Sequence, residues 1–291
     1  MITPYNKQTR LRINLENLLP KLKDWFEKYV GQFASLDSNI QAALDLKRSH
    51  TRRVCEAILD IGRHEGLSGE DLHMAEAASL LHDIGRFEQY RRYKTFSDRR
   101  SENHALLGVK VIQENRILKD VDPAKTRIII RAVECHNRAT LPANENGRVL
   151  FFMKLLRDAD KVDIWRVVTD YYQNAHRERN QAIELDLPDT PEISDSVCQS
   201  LMKSNIAQMT DLRTLNDFKL LQIGWVYDVN FRRTFQIVRE REYLERIRKA
   251  LPENSIRIKD VYERACDYLQ RMTLKDEDFN KNNVYFKETR T

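Results

Sequence analysis

The sequence predicts an all-α protein, and composition, periodicity and punctuation all point that way. Glycine and proline are scarce, eight and seven in 291 residues, while Leu, Ala, Arg, Lys, Glu and Gln abound. Apolar residues recur at helical spacing, with Ser, Asp-Pro and Gly falling where helices would start and stop.

After Pro20, "KLKDWFEKYV" puts Leu22, Trp25, Phe26 and Tyr29 on one face and stops at Gly31. A second helix starts near Ser38 and runs to Gly66, burying Leu46, Val54, Ile58 and Ile61 and carrying His50 in its middle. Ser68, with Asp71 three residues on, caps a third helix that reaches Gly85, so His82 and Asp83 fall on its last turn. Ser101 caps the next, with His104 in its first turn, and Asp122-Pro123 starts one that finishes near His136. The loop "NRATLPANENG" follows. From Arg148, "VLFFMKLLRDADKVDIWRVVTDYY" reads as one long helix, buried at its start, with Asp160 about three turns in. The Asp-, Pro- and Ser-rich stretch from Asp186 to Asp195 is the internal boundary, dividing 1–185 from 186–291, and Thr190-Pro191 marks a helix start within it. Helices are expected beyond it near 196–208, 211–226, 229–250 and 256–272. After Met272 the chain turns polar, a tail that frays or docks weakly.

The chain is long enough for one large domain or two modest ones. Cys55, Cys135, Cys198 and Cys266 form no CxxC pair and read as free thiols of a reducing compartment, so a cytoplasmic location is expected. The longest apolar run, "VLFFM", is far too short to cross a bilayer, and "MITPYNKQTR" lacks the apolar core of a signal peptide. A soluble protein with no membrane partner follows. A net charge of +5, from 49 basic and 44 acidic residues, is too small to announce nucleic-acid binding, and no long nucleic acid is expected as a partner.

Four of the seven histidines, His50, His82, His104 and His136, fall on predicted helices near a turn or loop. Asp83 and Asp160 complete a set of six. The steps between helices carrying them are 22 to 32 residues, one helix-loop-helix unit each, so a compact bundle could point all six inward. Imidazole with carboxylate and without thiolate suits Mn, Fe, Co, Ni or Zn. Six ligands exceed what one catalytic ion with an open position can use. A carboxylate such as Asp83 could bridge two divalent transition-metal ions, which together deprotonate a water and hold both oxygens of a phosphoryl displacement.

The pattern His50, His82-Asp83, His104, His136, Asp160, set in "LLHDIGR", "ENHALLGVKVI", "ECHN" and "LLRDADKVDIW", resembles the HD superfamily of metal-dependent phosphohydrolases, in the branch with two extra histidines and a dinuclear centre. The resemblance covers residues 45–175 and implies an HD-domain-like helical bundle with additional N- and C-terminal helices. It also implies that His50, His82, Asp83 and Asp160 hold one ion and Asp83, His104 and His136 the other, with Asp83 bridging. Arg86 matches the basic residue after the doublet that meets a substrate phosphate, a task suited to a guanidinium fork. Asp163 matches the last acid of a "DADKLD"-like stretch, placed to orient water or a ligand. The Gly-Tyr-Pro loop of the cyclic-dinucleotide-cleaving branch is replaced here by "ECHNRATLPANENGR", so cyclic di-GMP is not carried over as substrate.

Between the doublet and His104 lie Arg86, Arg91, Arg92, Lys94, Arg99 and Arg100, interleaved with Phe87, Tyr90, Tyr93 and Phe96 and partly offset by Glu88 and Asp98. Either these cations bind a small phosphorylated or nucleotide substrate while the rings stack on it, or the segment is a solvated basic loop whose aromatics pack on the core. Arg86 alone is the member favoured as functional. His64, His73 and His176 have no motif partners and are read as core or surface residues. Cys135 points about 100° away from His136 on its helix and is discounted as a ligand. Trp225, Tyr227 and Phe231 are read as core, and "NFRRTFQIVREREYLERIRKAL" as a helix packed by one stripe or as a homodimer contact.

The leading functional expectation is a metal-dependent phosphohydrolase acting on a phosphomonoester or phosphodiester, in which a metal-bridging hydroxide attacks phosphorus and Arg86 offsets the developing charge. The alternatives are a di-iron oxygenase using the same ligands, as in some relatives, and a nucleotide-sensing regulatory module.

Overall fold

The computed structural model describes residues 13–174 and 179–274, which form helices and turns with no strand among them. The chain divides into two compact units, 1–160 and 161–291. The sequence reading set its boundary at 185/186 instead. Polar, proline-rich composition marks where the chain leaves helix, whereas the units divide where few contacts cross, and that point lies inside a helix.

In the first unit, helix α1 (Leu15–Gly31) starts ahead of Pro20 because Asn14 caps it, accepting from the Glu16 N–H at 3.2 Å. Pro20 costs the helix the hydrogen bond to the Glu16 carbonyl, and the buried stripe Leu15, Leu19, Leu22, Phe26 and Val30 carries on across it. Asp37 caps α2 (Ser38–His64), accepting from Asn39 and Ile40 at 2.9 and 3.2 Å. Helix α3 (Gly69–Leu81) stops short of the doublet, which therefore occupies a turn rather than a last helical turn. What was expected to be a basic loop is largely helix: α4 (Gly85–Tyr93), ended by Lys94 in a left-handed conformation at φ 53°, then a 3₁₀ turn over Asp98–Arg100. Asn103, not Ser101, caps α5 (His104–Glu114), accepting from Ala105 and Leu106 at 2.9 and 3.1 Å. Asp122 caps α6 (Pro123–Cys135), and α7 (Gly147–Gln173) follows.

Helix α3 packs on α1, α2 and α6, and α5 on α4 and α6. Ala75, Ala77 and Ala78 keep α3 thin enough to meet three neighbours, and Val54, Ile58, Ile61, Ile129 and Val133 fill the spaces between. One glycine is obligatory here. A Cβ on Gly85 would lie 2.2 Å from the His104 carbonyl oxygen and 2.5 Å from the Gly108 nitrogen, so only glycine lets the start of α4 sit against the first turn of α5.

In the second unit α8 (Gln181–Glu184) precedes α9 (Asp195–Met202), α10 (Leu215–Gly224), α11 (Arg232–Glu240), α12 (Tyr243–Arg248) and α13 (Ile256–Leu274). The long helix expected over 229–250 is two. Glu242, left-handed at φ 53°, turns the chain so that Tyr243, Leu244 and Ile247 are buried instead of continuing the charged face of α11. Trp165 is fully buried and donates to the Gln222 carbonyl at 2.8 Å. Trp225 packs edge-on against Trp165 and Tyr227 against Tyr268, the packing role expected for this aromatic segment. No helix among the described residues is long and apolar enough to cross a membrane. His176 and the polar tail after Leu274 lie outside the described residues.

Candidate metal centre

The first unit gathers the six residues singled out from the sequence. Donor atoms of His50, His82 and Asp83, of His82, His136 and Asp160, and of Asp83, His104 and His136 lie within 4.8 Å of one another in each trio. The trios share members, and Asp83 links the first to the third. Its Oδ2 is 3.6 Å from His50 Nε2 and 3.8 Å from His82 Nε2, and its Oδ1 is 3.3 Å from His104 Nε2 and 3.7 Å from His136 Nε2. Asp160 Oδ1 lies 3.1 Å from His50 Nε2 and 3.8 Å from His82 Nε2.

Local structure aims the rings. His82 and His136 follow the last residues of α3 and α6, where carbonyls lack an intrahelical donor. Each ring folds back and donates Nδ1–H to the carbonyl three residues earlier, His82 to Ser79 at 2.6 Å and His136 to Val133 at 2.7 Å. Capping the helix thereby fixes the tautomer, because a carbonyl oxygen only accepts, and it leaves the Nε2 lone pair facing inward. His104 opens α5 and donates Nδ1–H to Asp98, at 2.8 Å from Oδ2. Arg157 of α7 donates to the His136 carbonyl at 3.1 Å and to that of Arg138, seating a cation at the end of α6.

Burial and charge act together on these groups. Burial first, against the attraction of Asp83 and Asp160, pushes His82 down to about 4. Burial and the Arg86 cation push His104 down to about 3. Both rings are neutral at physiological pH, the form that ligates metal. Burial alone would raise the Asp83 carboxyl, but Lys47 and the surrounding groups hold it well below the carboxylate range. Asp160 is likewise held low against its burial, chiefly by His50.

Arg86 lies at the edge of the cluster with Nε 3.5 Å from Asp83 Oδ1, and this buried Nε has no hydrogen-bond partner. Its Nη1 is committed to Gln89 Oε1 at 3.0 Å, the Phe96 carbonyl at 2.5 Å and Asp98 Oδ1 at 3.0 Å. The rest of the basic run is arranged differently. Arg91 and Arg92 both donate to the buried Glu88 carboxylate at 2.6 Å, Arg92 also reaches Glu102, and Arg91 lies over the Phe33 ring. Lys94, Arg99 and Arg100 are exposed. Asp163, buried one turn beyond Asp160, belongs to the second unit, where burial, against Arg241 and with a smaller contribution from the Asp163 charge, shifts the Tyr243 phenol upward. His64 is half exposed and bonded to the Asp60 carbonyl at 2.8 Å, a surface role as expected.

Four residues of the site were not singled out. Lys47 donates to Asp83 Oδ2 at 3.0 Å, and its place three residues before His50, one turn back on the same face, was the available signal. Asp98, Gln89 and Asn137 form a hydrogen-bonded group behind His104. No periodicity announces Asp98, which sits in a 3₁₀ turn.

A family model of the HD domain matches residues 48–175, a stretch that contains all six donors. No curated protein and no solved structure matches the chain.

Proposed function

We propose that the first unit is a metal-dependent phosphohydrolase centre holding two divalent transition-metal ions and acting on a small phosphorylated, nucleotide-like substrate. One observation carries the metal reading. His104 Nε2 and His136 Nε2 approach to 2.9 Å although the Nδ1 of each is already bonded to an oxygen acceptor. With each Nδ1 committed, the two Nε2 atoms are the remaining ligating positions of both rings, and they converge on one point as donors to a shared cation do. The donor set is imidazole and carboxylate without thiolate, and all four cysteines have their thiols raised by burial, so the residues fit Mn, Fe, Co, Ni or Zn rather than a thiolate site.

His50, His82 and Asp160 would serve one ion, His104 and His136 the other, with one oxygen of Asp83 turned toward each group. Such ions, when bound, make a water nucleophilic at neutral pH and offset charge on phosphoryl oxygens. The chain's own part is positional and electrostatic. Lys47 and Arg86 place a cation beside each oxygen of Asp83, at 3.0 and 3.5 Å, so negative charge entering the site meets two fixed cations in a largely buried setting. The unpartnered Arg86 Nε–H is a donor with spare capacity at that edge. Phe96, under the Lys47 ammonium, supplies an apolar face.

The deciding experiment is hydrolysis by manganese-reconstituted protein over nucleotides, cyclic nucleotides and aryl phosphates, beside Asp83→Ala. The expected result is turnover by wild type and a loss of about 10³-fold or more in the variant with the fold retained. Equal rates would end the proposal. Failure of metal-loaded wild type on every substrate, with oxygen uptake by an iron-loaded sample, would favour the oxygenase reading. Nucleotide binding without turnover would favour a sensor.

A further inference from the structure

The four inward-facing imidazoles are not supported alike. His82 and His136 end their helices and each finds a carbonyl of its own helix for Nδ1–H. His104 begins its helix, and a helix start presents N–H donors, not carbonyl acceptors. An imidazole there can hold the Nδ1–H tautomer only if another segment brings an acceptor. Asp98 does so, with Oδ1 at 2.9 Å and Oδ2 at 2.8 Å from His104 Nδ1.

Asp98 is itself held from three directions. Gln89 Nε2 donates to Oδ1 at 2.8 Å, Arg86 Nη1 to Oδ1 at 3.0 Å, and Asn137 Nδ2 to Oδ2 at 3.0 Å. Gln89 is fully buried and also bonded to Ser101 Oγ and the Glu102 carbonyl, so the carboxylate is anchored to α4 and to the segment leading into α5. Asn137 directly follows His136, which ties the same carboxylate to the other imidazole of the trio.

We infer that Asp98 is the positioning residue of the half-site formed by Asp83, His104 and His136, fixing the tautomer and direction of His104 and holding Arg86 on the same carboxylate. The inference rests on the metal reading above. A carboxylate behind a ligating imidazole orients the ring and raises its donor strength, and loss of such a partner typically weakens metal binding about 10- to 100-fold. Asparagine at this position would offer one acceptor and one N–H₂ group where four donors converge, so it could not serve them all.

The test is titration of the metal-free protein with Mn²⁺ or Zn²⁺, with melting temperature as a fold check. Wild type is expected to take up two ions. Asp98→Asn should bind one ion with affinity within about threefold of wild type and the other about 10- to 100-fold more weakly, while His104→Ala loses the second ion. If wild type takes up no ion, the metal reading itself fails. If wild type takes up two and Asp98→Asn binds both unchanged, or weakens both equally, the assignment to Asp98 is overturned and the metal reading stands. Nitrogen NMR of the wild-type imidazoles needs no variant: a proton on His104 Nδ1 supports the assignment, and one on Nε2 alone overturns it.

Discussion

Asp83 in the first unit and Asp217 in the second are both buried carboxylates beside the end of a helix, at 3% and 0% exposure, yet their surroundings are opposite in kind. Asp217 is met only by groups that bring protons. It accepts from Ser194 N at 2.7 Å, Ser194 Oγ at 2.6 Å, Arg213 N at 2.8 Å and Thr214 N at 3.2 Å, and it closes a capping box with Thr214. Both oxygens are met by donors, so the group is finished as part of a capping box. Asp83 has Lys47 on one oxygen and Arg86 Nε 3.5 Å from the other, and the rest of its surroundings are imidazole Nε2 atoms, at least three of them on rings whose Nδ1 is already bonded elsewhere. Burial of a carboxylate therefore says little about its role, while the balance of donors and acceptors around it says much. An excess of protons makes a cap, and an excess of lone pairs makes a cation site.

The largest expected effects come from removing each carboxylate in turn. Asp83→Ala should cut turnover by about 10³-fold or more and weaken the binding of both ions, since one of its oxygens faces each group, while the melting temperature moves by only a few degrees. Asp217→Ala should leave metal stoichiometry unchanged and cost about 3 kcal/mol in urea unfolding, because it removes the N3 half of the capping box on α10 and leaves buried donors without an acceptor. Metal loss in Asp217→Ala, or a larger loss of stability in Asp83→Ala, would break the distinction. A somewhat smaller effect follows from the metal itself. Each ion supplied at 100 times its Kd should stabilise the protein by about 2.7 kcal/mol. Amide exchange should localise that gain to α2, α3, α5, α6 and the part of α7 up to Asp160, which carry or abut the donors, and leave α10 unprotected. Uniform protection across both units would mean that the open cluster is not where the ion acts.

The convergence of the six side chains was legible in the sequence because imidazole and carboxylate at helix-loop-helix spacing stand out and because helix punctuation places histidines at helix ends, as with His104 after Asn103 and His136 after Cys135. The doublet was misplaced by one element. Continuing α3 to Gly85 looked natural from apolar content, but the His82 ring takes the Ser79 carbonyl and the Gly85 backbone is claimed by α5, and both are tertiary facts. The break at Glu242 escaped for a similar reason: burial of Tyr243 and Ile247 outweighs the cost of a left-handed glutamate. Asp98 read as a minor offset to a basic run because charge counting along a chain cannot show that its partners come from α4, α5 and the residue after α6.

The smallest effects test the same contrast among the arginines. Arg91 and Arg92 are finished groups: both pair to the buried Glu88, and Arg92 pairs also to Glu102 ahead of α5. Arg86 is unfinished, since its buried Nε lacks a hydrogen bond and faces Asp83. Arg86→Lys keeps a cation but loses the fork that spans Asp98 and the site edge, so KM for the phosphorylated substrate should rise about tenfold. Arg91→Ala should change KM by less than about twofold, since a partly exposed pair on a helix surface contributes little beyond local stability. If the two variants raise KM equally, substrate is held by the summed positive field of the whole run, and a steep loss of kcat/KM with added salt should accompany it. If only Arg86→Lys acts and the salt dependence is shallow, recognition is a short-range matter of one unsatisfied guanidinium donor beside the shared carboxylate.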